Sequence, residues 1–420
     1  MRRLYTLLLC LALPFVSVVV AWRGLADRRY WQGWSARFGA VPRSSRGGLW
    51  VHAVSVGEVQ AALALVGALR SAHPARPLWL SSATPAGRTR AREALGSAVA
   101  VSYAPYDLPW ALRAALRRFR PALLLVVETE IWPNLLAECA RAGVPVVFAS
   151  ARVSERSTRR YERFPGLVRT AFGAAVTIAA QSAADAARFV RLGVPAERAV
   201  VCGNIKFDRE SDPDIGRRGA ALRARYAGGR FLWVAGSTHA GEEQAALAAH
   251  ARLTTRQPAL LVLAPRHAPR FDEVAALLRA QGVRFARHSA PTAETAAADV
   301  LLLDTIGELS DFYAAADLAF VGGSLVEVGG HNLLEPAQLG VATVSGPHQF
   351  NAPDVVLALR ENHAVRIVAS AAELAEMVSA LAGDPAARAA LGHAGRVVVA
   401  ANRGALARVL ALVGALLATR

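Results

Sequence analysis

Lysine is nearly missing from this chain. Of 48 basic residues only Lys206 is a lysine. Arginine therefore carries the generic surface charge, and a compact ammonium at one position stands out against it. Cysteine is scarce as well: Cys10, Cys139 and Cys202 show no paired spacing. That excludes a disulfide framework or a cysteine-rich metal site and fits a reduced compartment. There is no zinc-finger spacing, RNA-binding aromatic motif or basic zipper. Nucleic acid is therefore the weakest of the anionic partners that a net charge of +16 and an isoelectric point near 11.0 imply, and no nucleic-acid partner is expected. Membrane lipid and a phosphorylated substrate are the anionic partners left. No short-period repeat is present. What is there is 420 residues with 54% hydrophobic side chains, enough for two or three domains with sizeable cores.

Residues 4–22 carry no charge and are about long enough to span a bilayer as one helix. Arg2 and Arg3 precede them; Arg23, Arg28, Arg29, Arg37, Arg43 and Arg46 follow. The richer flank places the body on the cytoplasmic side, with residues 1–22 as a single transmembrane anchor at the inner membrane. Trp22, Tyr30, Trp31 and Trp34 read as an interfacial belt. The competing reading is a cleaved signal peptide ending at Val19-Val20-Ala21. A helix over Leu108–Arg120 carries Arg113, Arg117, Arg118 and Arg120; it rests either on anionic lipid headgroups or in water.

From Leu49 the chain alternates strand and helix. Apolar strands are expected near 49–54, 78–82, 99–104, 122–127, 145–149, 176–180 and 199–203. A second series is expected near 231–236, 259–264, 300–304, 317–321 and 341–345. This rhythm predicts an α/β chain with parallel sheets covered on both faces, in two Rossmann-like domains over 23–210 and 231–400. A polar linker over 211–230 is expected to join them, and a C-terminal helix over 401–420 to end the chain. Ligands in such sheets bind beyond the C-terminal ends of the strands, so two facing domains would form a cleft.

Candidate chemistry falls at those strand ends. Gly322-Gly-Ser-Leu-Val-Glu-Val-Gly-Gly-His-Asn-Leu-Leu-Glu-Pro-Ala337 follows a strand and leads into a helix near Asn332 with Glu335 in its first turn. Glycines let the backbone approach a ligand, a helix N-terminus offers N–H groups to anionic oxygens, and the carboxylate can grip a ribose. An ordinary βα turn is the alternative. Glu58 begins a helix after Gly57, where the helix N-terminus favours its ionised form, the form a general base needs. Glu128 and Glu130 emerge after an apolar strand; alternate residues can face one ligand, or one can cap the helix behind Pro133. Ser150–Ser157 with Arg159, Arg160 and Arg163 is either a phosphate clamp or a solvated loop. Lys206 can stabilise negative charge on a leaving group or a sugar carboxylate. Gly236–His239, including Ser237, then Pro265-Arg266-His267, Gly307-Glu308-Leu309 and the glycine-rich stretch together offer backbone N–H, hydroxyl, guanidinium and carboxylate, which suits a nucleotide.

As a set the motifs resemble a known family over nearly the full chain. They are Val-Ser-Val-Gly-Glu58, Glu-Thr-Glu-Ile-Trp-Pro-Asn134, Ser-Ala-Arg-Val-Ser-Glu-Arg-Ser157, Gly-Asn-Ile-Lys-Phe-Asp208, Gly-Ser-Thr-His239, Pro-Arg-His267, Gly-Glu-Leu309 and Gly-Gly-His-Asn-Leu-Leu-Glu-Pro336. They resemble the 3-deoxy-D-manno-octulosonic acid (Kdo) transferases of Gram-negative bacteria. The resemblance implies a GT-B fold with a membrane-anchored N-terminus. It implies transfer of Kdo from CMP-Kdo to a lipid A precursor, with inversion and neither metal nor cofactor. By motif, Glu58 is the implied general base, and Glu128 and Lys206 the implied transition-state stabilisers. Pro265, Arg266, Gly307, Glu308, Leu309, Asn332, Leu333, Leu334 and Glu335 are implied for CMP, joined by Ser237 and His239. Glu130 and Arg152 are candidates for the acceptor. Other readings are a GT-B enzyme using a UDP-sugar and an inactive, membrane-tethered nucleotide-sugar-binding protein.

Overall fold

Runs such as Leu78–Ser82, Pro121–Val127 and Val176–Ala180 are short, apolar and bounded by turns, so each can satisfy its backbone only by pairing in a buried sheet. The computed structural model describes residues 1–44, 47–173, 176–208 and 212–418, with the side chains of 293 and 294 left out. The chain divides into two compact units, Met1–Arg209 with Asn402–Arg420, and Glu210–Ala401.

The first unit holds β1 (Gly48–His52), β2 (Leu78–Ser82), β3 (Ala100–Tyr103), β4 (Pro121–Val127), β5 (Val146–Ala151), β6 (Val176–Ala180) and β7 (Ala199–Val201). They form one parallel sheet in the order β3-β2-β1-β4-β5-β6-β7. Successive side chains of a strand enter opposite faces. Trp50 therefore joins one core with Trp79, Phe119 and Phe148, while Leu49 and Val51 join the other with Leu65, Val66 and Leu125. Trp50 stacks on Trp79 at 4.4 Å between centroids. Their indole N–H groups donate to the Ser81 and Ser102 hydroxyls at 2.8 and 2.9 Å, so neither buries an unpaired donor.

The second unit holds β8 (Phe231–Thr238), β9 (Ala259–Pro265), β10 (Phe285–Arg287), β11 (Val300–Leu302), β12 (Leu318–Val321), β13 (Ala342–Ser345) and β14 (Arg366–Ile367), again parallel, in the order β10-β11-β9-β8-β12-β13-β14. In both sheets the winding direction reverses once, between β1 and β4 and between β8 and β12. The crevice outside the strand ends at such a reversal is where open α/β sheets take ligands.

Each expected strand is present. β10 and β14 were not expected: they are three and two residues long, lie at sheet edges and contain arginine, so no apolar run marks them. The stretch expected as a linker instead contains the helix Ile215–Tyr226. It packs on the helix Leu309–Ala315, with the Arg218 guanidinium on Asp311 at 2.8 and 2.9 Å. The basic helix runs Pro109–Phe119, and two of its arginines are engaged within the unit. Arg113 grips the buried Glu138 with two bonds of 2.9 Å, and Arg118 donates to the Val41 carbonyl.

The C-terminal tail is two helices, Pro385–Asn402 and Ala405–Ala418, broken at Arg403-Gly404, where Gly404 has φ +90°. The last helix belongs to the first unit. It buries Ala405, Val409, Val413 and Leu417 in that core, and Asp208 caps its start by accepting from the N–H groups of Gly404 (2.5 Å) and Leu406. The N-terminal helix spans Arg2–Ala26. It and the segment Pro385–Ala418 are the two among the described residues long and apolar enough to cross a membrane.

The cap makes a direct prediction. Asp208→Ala should cost about 1–2 kcal/mol in denaturant unfolding, and hydrogen exchange should quicken over residues 405–418. Unchanged exchange there would show that the apolar face alone holds the helix.

Candidate active site

β1 ends at His52, and the chain turns at Ser55 into the helix Val56–Ala72. Ser55 is the N-cap, accepting from the Glu58 N–H at 3.3 Å. The Glu58 carboxylate folds back on the same turn, accepting from the Val54 N–H at 2.7 Å and the Ser55 hydroxyl at 2.8 Å. These bonds favour the ionised form. Burial outweighs them, aided by the charges of Glu130 and Glu128, and Glu58 is pushed up to about 7. The helix N-terminus favours the ionised form, as the position implies, but desolvation at the sheet end exceeds that pull.

β4, the strand across the reversal, ends at Val127 and is followed by Glu128. This residue has φ +59°, a left-handed conformation costly for a side chain with a Cβ. Its carboxylate pairs with Lys206 Nζ at 2.7 Å and faces Arg152 Nε at 3.7 Å. Glu130 accepts from the Trp132 indole at 3.0 Å, and burial and the charge of Glu128 raise its pKa. Ser150, at the end of β5, also has φ +59°. Its hydroxyl donates to Asn204 Oδ1 and accepts from the Ile205 N–H, both at 3.2 Å, and Asn204 Oδ1 accepts from the Lys206 N–H at 3.0 Å. Thus three strand ends fix the lone lysine: β5 holds the turn that carries it, β7 leads into that turn, and β4 supplies its counter-charge. His52 lies beneath, fully buried and held neutral, with its pKa lowered to about 4 by desolvation and its ring edge-on to Trp132 at 4.7 Å.

In the second unit the organising group is Glu242, fully buried at the start of the helix Glu242–Thr254. Its carboxylate accepts from the N–H groups of His239 (2.9 Å), Gly323 (2.7 Å), Ser324 (2.9 Å) and Leu325 (2.9 Å). That ties the loop after β8 to the glycine-rich loop after β12. Glycine is required at 322 and 323. A Cβ at 322 would lie 2.8 Å from Glu242 Oε2, and residue 323 has φ +67°. Ser237 is a third non-glycine residue with positive φ, +56°, at the end of β8.

His239 and His331 join the same two loops. Their rings are coplanar within 7° and their Nε2 atoms are 2.9 Å apart, so one donates to the other along a shared edge. Burial and the nearby Arg266 hold His331 down to about 4. His267 sits edge-on to His239 at 5.5 Å, and the Arg266 N–H donates to the Thr238 carbonyl. On the other side Glu335 links two further loops, accepting from Asn332 Nδ2 at 3.2 Å and the Ser310 hydroxyl at 3.5 Å. Glu308 bonds Thr305 and reaches His288 at 3.4 Å.

Comparison with known proteins identifies the relatives of this constellation. Residues 32–209 match the family model described as 3-Deoxy-D-manno-octulosonic-acid transferase (kdotransferase). The chain is 37% identical over 416 residues to the 3-deoxy-D-manno-octulosonic acid transferase of Haemophilus influenzae, covering 98% of this chain and 97% of that one. This chain belongs to the 3-deoxy-D-manno-octulosonic acid transferase family. The Bordetella pertussis member is also 37% identical, over 97% and 98% of the two chains. Among solved structures, MurG of Acinetobacter baumannii (TM-score 0.53, 12% identity, 86% of this chain and 99% of that one) shares the GT-B fold. So does a putative UDP-N-acetylglucosamine 2-epimerase of Listeria monocytogenes (TM-score 0.54, 14% identity, 88% and 96%). As a Kdo transferase relative the chain is a glycosyltransferase.

Within this transferase the expected residues fall into groups by unit. Glu58, Glu128, Glu130, Arg152 and Lys206 share the strand ends of the first sheet. Ser237, His239, Pro265 and Arg266 gather with the glycine-rich loop in the second; Gly307, Glu308 and Leu309 gather with Asn332, Leu333, Leu334 and Glu335. Sequence reasoning missed Glu242 and Ser310, and it quoted Asn204 within a motif without giving it a part. A carboxylate one turn after Gly236–His239 was the available signal for Glu242, and it is indistinguishable in sequence from a first-turn acid serving the helix dipole.

The raised pKa of Glu58 has a stability consequence. Its folded value lies above the ordinary carboxylate value, so its contribution is fully present below about pH 4.5 and is lost as pH rises through about 7. Glu58→Gln, which cannot ionise, should therefore melt higher than the wild type at pH 8 and equally at pH 4. A gain that is the same at both pH values would refute the buried-charge explanation.

Proposed function

We propose that this chain transfers Kdo from CMP-Kdo to a lipid A precursor, with inversion and without a metal, at the cytoplasmic side of the inner membrane. The observation that carries it is Glu58. A carboxylate at the sheet reversal has its pKa pushed up to about 7 and stands in the electrostatic field of a Glu128–Lys206 ion pair. Family membership supports the choice of sugar, and the Arg-rich flank of an apolar N-terminal helix supports the location.

In this reading Glu58 takes the proton from the attacking hydroxyl of the acceptor, and a pKa near the working pH suits a group that must both accept and release it. The hydroxyl oxygen bonds to the anomeric carbon of Kdo as the bond from that carbon to the CMP phosphate oxygen breaks. A single displacement of this kind inverts the centre. The departing phosphate develops charge beside Kdo's own carboxylate. Lys206, held by Glu128, supplies a fixed cation for that charge; a preoriented cation needs no reorganisation during reaction. The loops of Ser237, His239, Pro265 and Arg266, of Gly307–Leu309 and of Asn332–Glu335 hold the nucleotide. There exposed guanidinium, backbone N–H and a carboxylate suit phosphate and ribose. Glu130 and Arg152 serve the acceptor side.

Incubation of the purified chain with CMP-Kdo and lipid A precursor, read by mass spectrometry, should show addition of Kdo. Product from a UDP-sugar and none from CMP-Kdo would overturn the donor. Glu58→Gln should lower kcat by roughly 10²- to 10⁴-fold with CMP binding retained. The wild-type rate should fall as pH drops through about 7, because protonation removes the base. Full activity in Glu58→Gln would sink its assignment.

A further inference from the structure

The N-terminal helix is tied to the first unit at both ends. In its first turn the Tyr5 hydroxyl donates to Asp107 at 2.9 Å and the Thr6 hydroxyl to Asn134 at 3.0 Å. Asp107 and Asn134 are themselves buried, and Asp107 also accepts from the N–H groups of Asn134 and Leu135 at the start of the helix Pro133–Arg141. Near its end the helix accepts from Trp31 Nε1 at the Ala21 carbonyl, and Gly24 lies so close to Trp31 that a Cβ there would overlap the indole. The segment carrying Trp31 is fixed to the same unit. Tyr103 donates to the Arg29 carbonyl at 2.8 Å and Arg88 to the Gln32 carbonyl at 3.1 Å.

Between these ends the helix has two faces. Thr6, Leu9, Leu13, Ser17, Val20 and Gly24, spaced by three or four, are partly or fully covered. On the opposite side Leu4, Leu8, Leu11 (69% exposed), Phe15 (73%), Trp22 (70%) and Leu25 (72%) are bare. At 1.5 Å per residue, Tyr5 and Ala21 lie roughly 24 Å apart along the helix axis. In a spanning helix those two contacts would sit near opposite faces of a hydrocarbon core about 30 Å thick. Asp107 and Asn134, interior residues of the folded unit, would then be at the far side.

We infer that the helix Arg2–Ala26 does not cross the membrane but lies in its plane, clamped lengthwise to the first unit, with its Leu4–Leu25 face sunk into one leaflet of an anionic bilayer. This rests on the reading of the helix as the membrane anchor. Charge supports the occupant. Met1 packs near Gly166, where an added Cβ would lie 3.7 Å from Met1 Cγ. The neighbouring helix Glu155–Glu162 and the loop beyond it present exposed Arg156, Arg160 and Arg163 around an open pocket, where Arg159 pairs with Glu155 at 3.4 Å, with the half-exposed Phe164 beside them. An apolar stripe ending beside a basic cluster is the pattern of an interfacial helix on acidic headgroups. The N-terminus then lies on the same side of the membrane as the body.

The test uses the full chain in inverted inner-membrane vesicles, whose outer surface is the cytoplasmic side. Cys139 and Cys202 are buried, so a thiol placed by Arg3→Cys in a Cys10→Ala background reports the helix start; Arg256→Cys reports the body. A membrane-impermeant maleimide should label position 3 in intact vesicles to the same extent as position 256. Labelling of 256 alone, with position 3 protected until the vesicles are opened, would establish a spanning helix and overturn the inference while leaving the anchor reading in place. A protein that is washed off the vesicles, or whose bare face is covered by a second copy in a lipid-free dimer, would overturn the anchor reading and this inference together.

Discussion

Among the described residues, three strand ends carry a residue forced into the left-handed region without being glycine: Glu128 just after β4, and Ser150 and Ser237 as the penultimate residues of β5 and β8. Such a conformation costs of order 1–3 kcal/mol, and the rest of the site depends on it. A parallel strand delivers its chain straight out of the sheet. A single left-handed residue turns that chain sharply, so that a side chain at the sheet end can be aimed across the neighbouring strand. Glu128 meets Lys206 this way, and the Ser150 hydroxyl meets the turn that carries Lys206. The surrounding hydrogen bonds hold the backbone where its own preference would not.

Electrostatics at the first sheet are a contest between burial and pairing. Glu58 and Glu130 are driven toward protonation mainly by desolvation; the charge of Glu128 adds to both, and that of Glu130 adds to Glu58. Glu128 itself is matched to Lys206, with Arg152 near. A cluster of like charges separates into one carboxylate committed to a cation and others left poised, the pattern expected where proton transfer and charge stabilisation fall to different residues. In the second sheet one buried carboxylate, Glu242, plays a purely architectural part. Its four backbone donors, three from the glycine-rich loop and one from the loop after β8, fasten the two loops together.

The arginine-rich surface divides in the same way. Arg113 and Arg118 are consumed by Glu138 and the Val41 carbonyl, so the basic helix between β3 and β4 is fastened to its own unit. Near the start of the N-terminal helix Arg156, Arg160 and Arg163 are exposed, while Arg159 pairs with Glu155 at 3.4 Å. Composition counts both kinds alike; only packing separates a structural guanidinium from one free to meet an anionic partner.

The sequence by itself determined the alternation of strand and helix, two Rossmann-like units and the loops that carry the motifs. Those signals are local: apolar runs, glycine turns and first-turn acids need no distant partner to be read. β10 and β14 escaped because an edge strand of two or three residues is held by its neighbour and not by its own pattern. The helix Ile215–Tyr226 escaped because its arginines looked solvated until Asp311 and Asp317 were brought to them. Glu58 was legible as a first-turn carboxylate at a strand end whose position argued for the ionised form, and only the enclosing fold supplied the desolvation that reverses the balance. Glu242 and the Ser150–Asn204–Lys206 network were illegible for the same reason: a partner 50 to 80 residues away becomes a neighbour only in the folded chain. The apolar N-terminal stretch marked a helix long and apolar enough to cross a membrane; its two faces, and the contacts at both its ends, exist only where the helix meets the body.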